Sequence, residues 1–112
     1  MKAILYIDDS ESYRFLLQEE LSEEEYQVVT AESIEETLSQ LGGINPDLII
    51  LELRQKRFRE GGFEKLKDRY PGIPWIGYST FSHCPDEFKK WVNYYLPKSS
   101  DIDILKELIK NL

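Results

Sequence analysis

The chain alternates short apolar runs with stretches of helical spacing. Residues 3–7 (Ala-Ile-Leu-Tyr-Ile) are continuously apolar and stop at Asp8-Asp9-Ser10. Such a run reads as a strand buried on both faces. Over residues 11–22 the apolar positions Tyr13, Leu16, Leu17 and Leu21 fall at helical spacing. Residues 26–31 are rich in strand-forming types. Ser33 and Glu36 form a capping box, followed by Ile34, Leu38 and Leu41 on one helical face. Gly42-Gly43 ends that helix and Asn45-Pro46 makes a turn. Residues 47–53 then form the most strongly marked strand in the chain.

Residues 54–62 are polar and basic and end in Gly61-Gly62, so they read as a loop. Phe63, Leu66 and Tyr70 mark a short helix closed by Pro71-Gly72, and residues 75–79 form a fourth strand. Pro85-Asp86 starts a helix with Phe88, Trp91 and Val92 on one face. Residues 94–96 are a brief fifth strand. Ser100 caps a last helix that turns Ile102, Leu105, Leu108, Ile109 and Leu112 inward. Five rounds of strand then helix imply parallel pairing through right-handed crossovers. The expected fold is a doubly wound, three-layer α/β sandwich on a five-stranded parallel sheet of order 2-1-3-4-5. Pro97 suits an edge position for the fifth strand.

Length and charge narrow the class. At 112 residues the chain holds one domain, 1–112, with no room for separate sensor and output domains. No apolar run reaches the ~18–20 residues that span a bilayer, and no signal peptide opens the chain, so a cytoplasmic module without membrane contact is expected. The single cysteine, Cys84, excludes a disulfide framework and a cysteine-based zinc site. A net charge of −7 argues against non-specific nucleic-acid binding. The charge is polarised: residues 1–53 carry two bases against thirteen acids, and residues 54–112 twelve bases against eight acids. A dipolar surface of this kind steers charged partners.

In a doubly wound sheet, ligands bind beyond the carboxyl ends of the strands, at the switch point between the first and third. Asp8 and Asp9 end the first strand there, Glu52 lies near the end of the third, Ser79 and Thr80 end the fourth, and Lys98 follows the fifth. Three carboxylates, a hydroxyl and a lysine thus converge on one rim. Carboxylates with a water shell are how proteins hold Mg²⁺, so Asp8, Asp9 and Glu52 are the metal candidates. A hydroxyl and an ammonium suit an anionic group beside that ion. Against this, paired acids before a helix often serve only as caps.

Four segments carry a resemblance. Ile7-Asp8-Asp9-Ser10-Glu11, Pro46-Asp47-Leu48-Ile49-Ile50-Leu51, Ile73-Pro74-Trp75-Ile76 leading to Ser79-Thr80, and Tyr95-Leu96-Pro97-Lys98 resemble the receiver domains of bacterial two-component response regulators, of the chemotaxis-receiver kind and flavodoxin-like fold. The resemblance implies a phosphorelay signalling protein rather than an enzyme. In that family an aspartate ending the third strand takes a phosphoryl group from a histidine kinase. The acid pair, here Asp8 and Asp9, binds Mg²⁺. The hydroxyl and lysine, here Ser79 and Lys98, contact the phosphoryl oxygens. An aromatic, here Tyr95, changes rotamer.

The departures shape the expected function. Glu52 stands where the family has aspartate. Its extra methylene moves the carboxylate by more than ~1 Å, a misplacement that costs about 10²-fold. The expectation is an atypical pseudo-receiver that works without phosphorylation, with Glu52 near Lys98 and Ser79, and that acts through protein–protein interaction with a histidine kinase or a downstream effector. The alternative is a Mg²⁺-dependent receiver that still accepts a phosphoryl group; a further one is a structural homodimer, with Trp91 and Tyr94 at the surface. Arg54 either folds into the acid cluster as counter-charge or points to solvent. Ser99 stands where the family has a proline after a cis bond, so a different loop path is expected. The segment from Ser79 to Lys98 is short for the family, so a truncated or irregular fourth helix is expected. The basic run Arg54, Lys56, Arg57, Arg59, Lys65, Lys67 and Arg69 reads as a solvated face before a binding patch, and His83-Cys84 as a loop pair.

Overall fold

A computed structural model describes residues 2–40, 42–54 and 61–112. Leu41 of the second helix and Lys56, Arg57 and Arg59 of the basic run lie outside the described residues. The strands are β1 (Ala3–Ile7), β2 (Gln27–Ala31), β3 (Leu48–Leu51), β4 (Trp75–Ser79) and β5 (Tyr94–Pro97). They form one parallel sheet in the order β2-β1-β3-β4-β5. The expected topology and the edge position of Pro97 both hold. The α-helices among the described residues are α1 (Glu11–Ser22), α2 (Ile34–Gln40), α3 (Gly62–Arg69) and α4 (Ile102–Lys110).

Strand alternation divides the core into two layers. Leu5, Ile7, Ile49 and Leu51 pack with Ile34, Phe63, Leu66 and Trp75 on one face. Ile4, Tyr6, Leu48 and Ile50 pack with Leu17, Leu21, Leu105 and Ile109 on the other. A strand covered on both faces has no polar positions, which is why β1 and β3 read as unbroken apolar runs.

The fourth helix is truncated, as the short segment between Ser79 and Lys98 implies: from Pro85 it is a single 3₁₀ turn, Asp86–Phe88. Phe88 and Trp91 still pack on the ring of Phe63, at 5.9 and 5.6 Å between centroids, but without a continuous helix. Asp101, not Ser100, caps α4: its side chain accepts the Asp103 N–H at 2.9 Å, while the Ser100 hydroxyl donates to the Pro97 carbonyl. Ser10, not either aspartate, caps α1 by accepting from the Tyr13 N–H. Leu112 is exposed rather than inward. The Ser33 cap of α2 is as expected, with the Glu36 N–H donating to its hydroxyl at 3.0 Å.

Candidate functional site

The carboxyl ends of β1 and β3 carry Asp8 and Glu52 onto the rim. Asp8 extends the face of Ile4 and Tyr6, and Glu52 the face of Leu48 and Ile50. The ladder continues through both: the Asp8 N–H donates to Ala31 and the Glu52 N–H to Ile7, at 3.0 and 2.8 Å. Ser79 ends β4, and its carbonyl accepts the Lys98 N–H at 2.6 Å, which fixes where the Lys98 side chain begins. Asp8, Glu52 and Ser79 are buried.

The side chains meet as the sequence suggests. Lys98 Nζ lies 2.8 Å from Asp8 Oδ2 and 3.1 Å from Glu52 Oε2. The Ser79 hydroxyl donates to Glu52 Oε1 at 2.8 Å. The same oxygen accepts the Arg54 N–H at 3.1 Å. Burial works against the charge on Lys98, but the hydrogen bond and charge of Asp8, then those of Glu52, outweigh it and hold the ammonium above the ordinary lysine range.

Three residues complete the pocket that the sequence reading did not single out. Tyr6 donates its hydroxyl to Asp8 Oδ2. Burial first, and then the charge of Asp8, pushes its phenol far above the usual tyrosine range, so it stays a donor. The ring of Tyr13 lies under Lys98 Nζ, 4.0 Å from centroid to nitrogen. Arg14 donates from Nη1 to the Asp8 carbonyl at 2.7 Å. Tyr6 was legible in principle: it stands two residues before Asp8 on a strand, hence on the same face.

Arg54 takes the second of its two paths and is exposed: its guanidinium donates to the Thr80 hydroxyl at 3.2 Å and covers the Phe81 ring at 4.6 Å at the surface. Tyr95 is half-buried, and its hydroxyl donates to the carbonyls of Ser79, at 3.2 Å, and Phe81. The aromatic is thereby tied to the loop after β4. Lys98 reaches the pocket although Ser99 follows it, and that turn is closed by the Ser100 N–H on the Pro97 carbonyl at 3.0 Å.

The carboxylates are engaged by the chain's own donors. Asp8 Oδ1 accepts the Ser10 N–H at 2.9 Å, and Oδ2 is shared by Tyr6 and Lys98. Asp9 is exposed. Among the described residues no three histidine, cysteine, aspartate or glutamate side chains are grouped to hold a metal ion. Lys98 Nζ stands between Asp8 and Glu52.

A doubly wound sheet with two acids, a hydroxyl and a lysine at its switch point defines a receiver-type signalling module. The chain belongs to the response regulator receiver domain family, whose model matches residues 4–110. It is similar to the response regulator TrrA from Thermotoga maritima solved with Mg²⁺ and BeF, at 35% identity and a TM-score of 0.83, covering 99% of this chain and 98% of that one. TrrA in complex with the histidine kinase ThkA superposes with a TM-score of 0.82 at 35% identity, covering 99% and 97%. The fold is also that of the chemotaxis protein CheY4 of Vibrio cholerae, at 23% identity, 99% and 98% coverage, and a TM-score of 0.82. No curated protein sequence matches the chain. Among the described residues no helix is long and apolar enough to cross a membrane.

Proposed function

We propose that residues 1–112 work as one atypical receiver unit in two-component signalling, acting through protein contacts without being phosphorylated. One observation carries this reading. Glu52 stands at the acceptor position, and its two carboxylate oxygens already take the Ser79 hydroxyl and the Lys98 ammonium. Those are the two groups that would otherwise meet phosphoryl oxygens. The Glu52 carboxylate supplies one negative charge where a phosphoryl group adds roughly −1.5 to −2, so it is a partial and permanent substitute. The partner is a protein of the pathway, either a histidine kinase that docks without transfer or a downstream effector.

A second reading keeps phosphorylation, and the similarity to TrrA favours it, since TrrA is solved with Mg²⁺ and BeF and in complex with its kinase. Intact mass after incubation with Mg²⁺ and a small acyl-phosphate donor separates the two. The proposal expects no adduct on wild type and one on Glu52→Asp, in which the shortened carboxylate frees Ser79 and Lys98. An adduct on wild type overturns it.

A further inference from the structure

Resting on that reading, we propose that Lys98 is the resident cation of the acidic pocket and that Tyr6 is the positioning residue that keeps it there, their shared hold on Asp8 Oδ2 excluding a divalent metal ion. The argument is one of occupied oxygens. Asp8 Oδ2 has two lone-pair directions, and one donor sits on each: the Tyr6 hydroxyl and Lys98 Nζ. Asp8 Oδ1 serves the Ser10 N–H and Glu52 Oε1 serves Ser79 and the Arg54 N–H. A Mg²⁺ ion needs oxygens at about 2.0–2.1 Å in an octahedral shell. Nζ stands 2.8 and 3.1 Å from Asp8 Oδ2 and Glu52 Oε2, so an ion that bridged those two oxygens would have to displace it. An ammonium and a divalent cation do not share that position.

The latch is held from every side. Tyr6 is fully buried in β1, an interior strand of the sheet, and its ring meets the edge of Tyr78 at 6.4 Å between centroids, which holds the ring whose hydroxyl reaches Asp8. Tyr78 in turn packs on Tyr13 at 6.2 Å, and Tyr13 holds Lys98 from beneath. Arg14 adds a second positive charge at the Asp8 carbonyl, the kind of oxygen a hard cation uses. Three tyrosines and two bases therefore surround an acid that is electrostatically satisfied by the chain itself.

The test is a Mn²⁺ titration of the full chain, read from the electron paramagnetic resonance signal of the free aqua ion, with no phosphoryl donor present. Wild type is expected to bind weakly. Tyr6→Phe keeps the ring and its packing on Tyr78 but removes one donor from Asp8, and binding should tighten about tenfold or more. Lys98→Gln should tighten it further. Asp8→Asn added to Tyr6→Phe should return the affinity to the wild-type level, which places the gained site at Asp8. A general loosening of the fold would not create a site that Asp8 alone abolishes. Equal Mn²⁺ affinity of wild type, Tyr6→Phe and Lys98→Gln overturns the proposal, as does tight binding by wild type. Either of those results leaves the phosphorylation-independent reading to the mass measurement, and an adduct found there leaves the latch to the titration.

Discussion

Lys98 Nζ lies 3.1 Å from Glu52 Oε2, with the two side chains only 6% and 4% exposed. Water screens a pair this deeply buried only weakly. A buried pair of this kind adds little net stability against apolar replacements, yet removing one member is costly. Lys98→Met should therefore destabilise the fold by about 3–5 kcal/mol, because Asp8 and Glu52 would face each other uncompensated. Urea denaturation of wild type and variant checks this. A loss below about 1 kcal/mol, the range of surface pairs, would mean that the pair is solvated in solution.

Alkaline pH tests the same pocket. Burial pushes the Tyr78 phenol up to about 12, with the nearby hydroxyl of Tyr13 and the charge of Asp8 adding to it. Burial also raises Tyr95 to about 12, and the charge of Glu52 adds to the shift. Lys98 is raised as well. All three hold their protons more tightly when folded. Their stabilisation is fully present below the unfolded values of about 10 for tyrosine and 10.4 for lysine, and is lost as pH rises through the folded values. Stability should fall between about pH 10 and 12, and tyrosinate absorbance should show late-titrating phenols until the chain unfolds. Titration of every tyrosine at the ordinary value would contradict this.

Most of the fold was legible because two-sided burial leaves a plain mark: β1 and β3 have no polar positions, and the Ser33 cap, Pro71-Gly72 and the strand–helix alternation agree with them. The site was legible as a set of strand ends, since topology alone brings Asp8, Glu52, Ser79 and Lys98 together. What stayed hidden was tertiary. A truncated or irregular fourth helix was legible from the short segment, but not that Phe88, Trp91 and Val92 pack with Phe63 and Trp75 from it. Arg54 offered two readings, and only its tertiary neighbours decide between them: it stays exposed beside Thr80 and Phe81. Part of the basic run serves packing: Lys67 lies 4.1 Å over the Trp75 ring and Arg69 5.5 Å over Tyr70.

The aromatic cluster that replaces the missing helix should dominate that side of the domain. Phe63 is buried with its ring 5.8 Å from Trp75 and 5.6 Å from Trp91. Phe63→Ala should cost about 3–5 kcal/mol and change the tryptophan fluorescence, since both indoles lose a neighbour. Thermal or urea unfolding followed by that fluorescence measures it. An unchanged emission spectrum would show that the indoles do not meet Phe63 in solution.

Gly77 controls the room available to Tyr95. A Cβ there would lie 3.1 Å from Tyr95 Cδ1, 3.2 Å from Leu53 and 3.3 Å from Val92. Gly77→Ala should cost roughly 1–3 kcal/mol by overpacking and displace the Tyr95 ring, shifting its resonances in an NMR spectrum. A neutral substitution with an unmoved Tyr95 would contradict the packing described.

Helix α4 offers a sharp local test, because two adjacent residues compete for one role. Asp101→Ala should cost about 1 kcal/mol as the loss of a cap. Ser100→Ala should leave the Asp103 N–H partnered. Amide hydrogen exchange at Asp103 should quicken in the first variant and not in the second; the reverse pattern would assign the cap to Ser100.

The central claim is that Glu52 and Lys98 already fill the place of an incoming phosphoryl group and its metal ion. Addition of Mg²⁺ and beryllofluoride to isotope-labelled wild-type protein, followed by amide NMR, tests it without any covalent step. The account predicts that the amides of Asp9, Ser79, Thr80 and Lys98 keep their positions in wild type and move in Glu52→Asp. Specific, saturable shifts of those amides in wild type would contradict it.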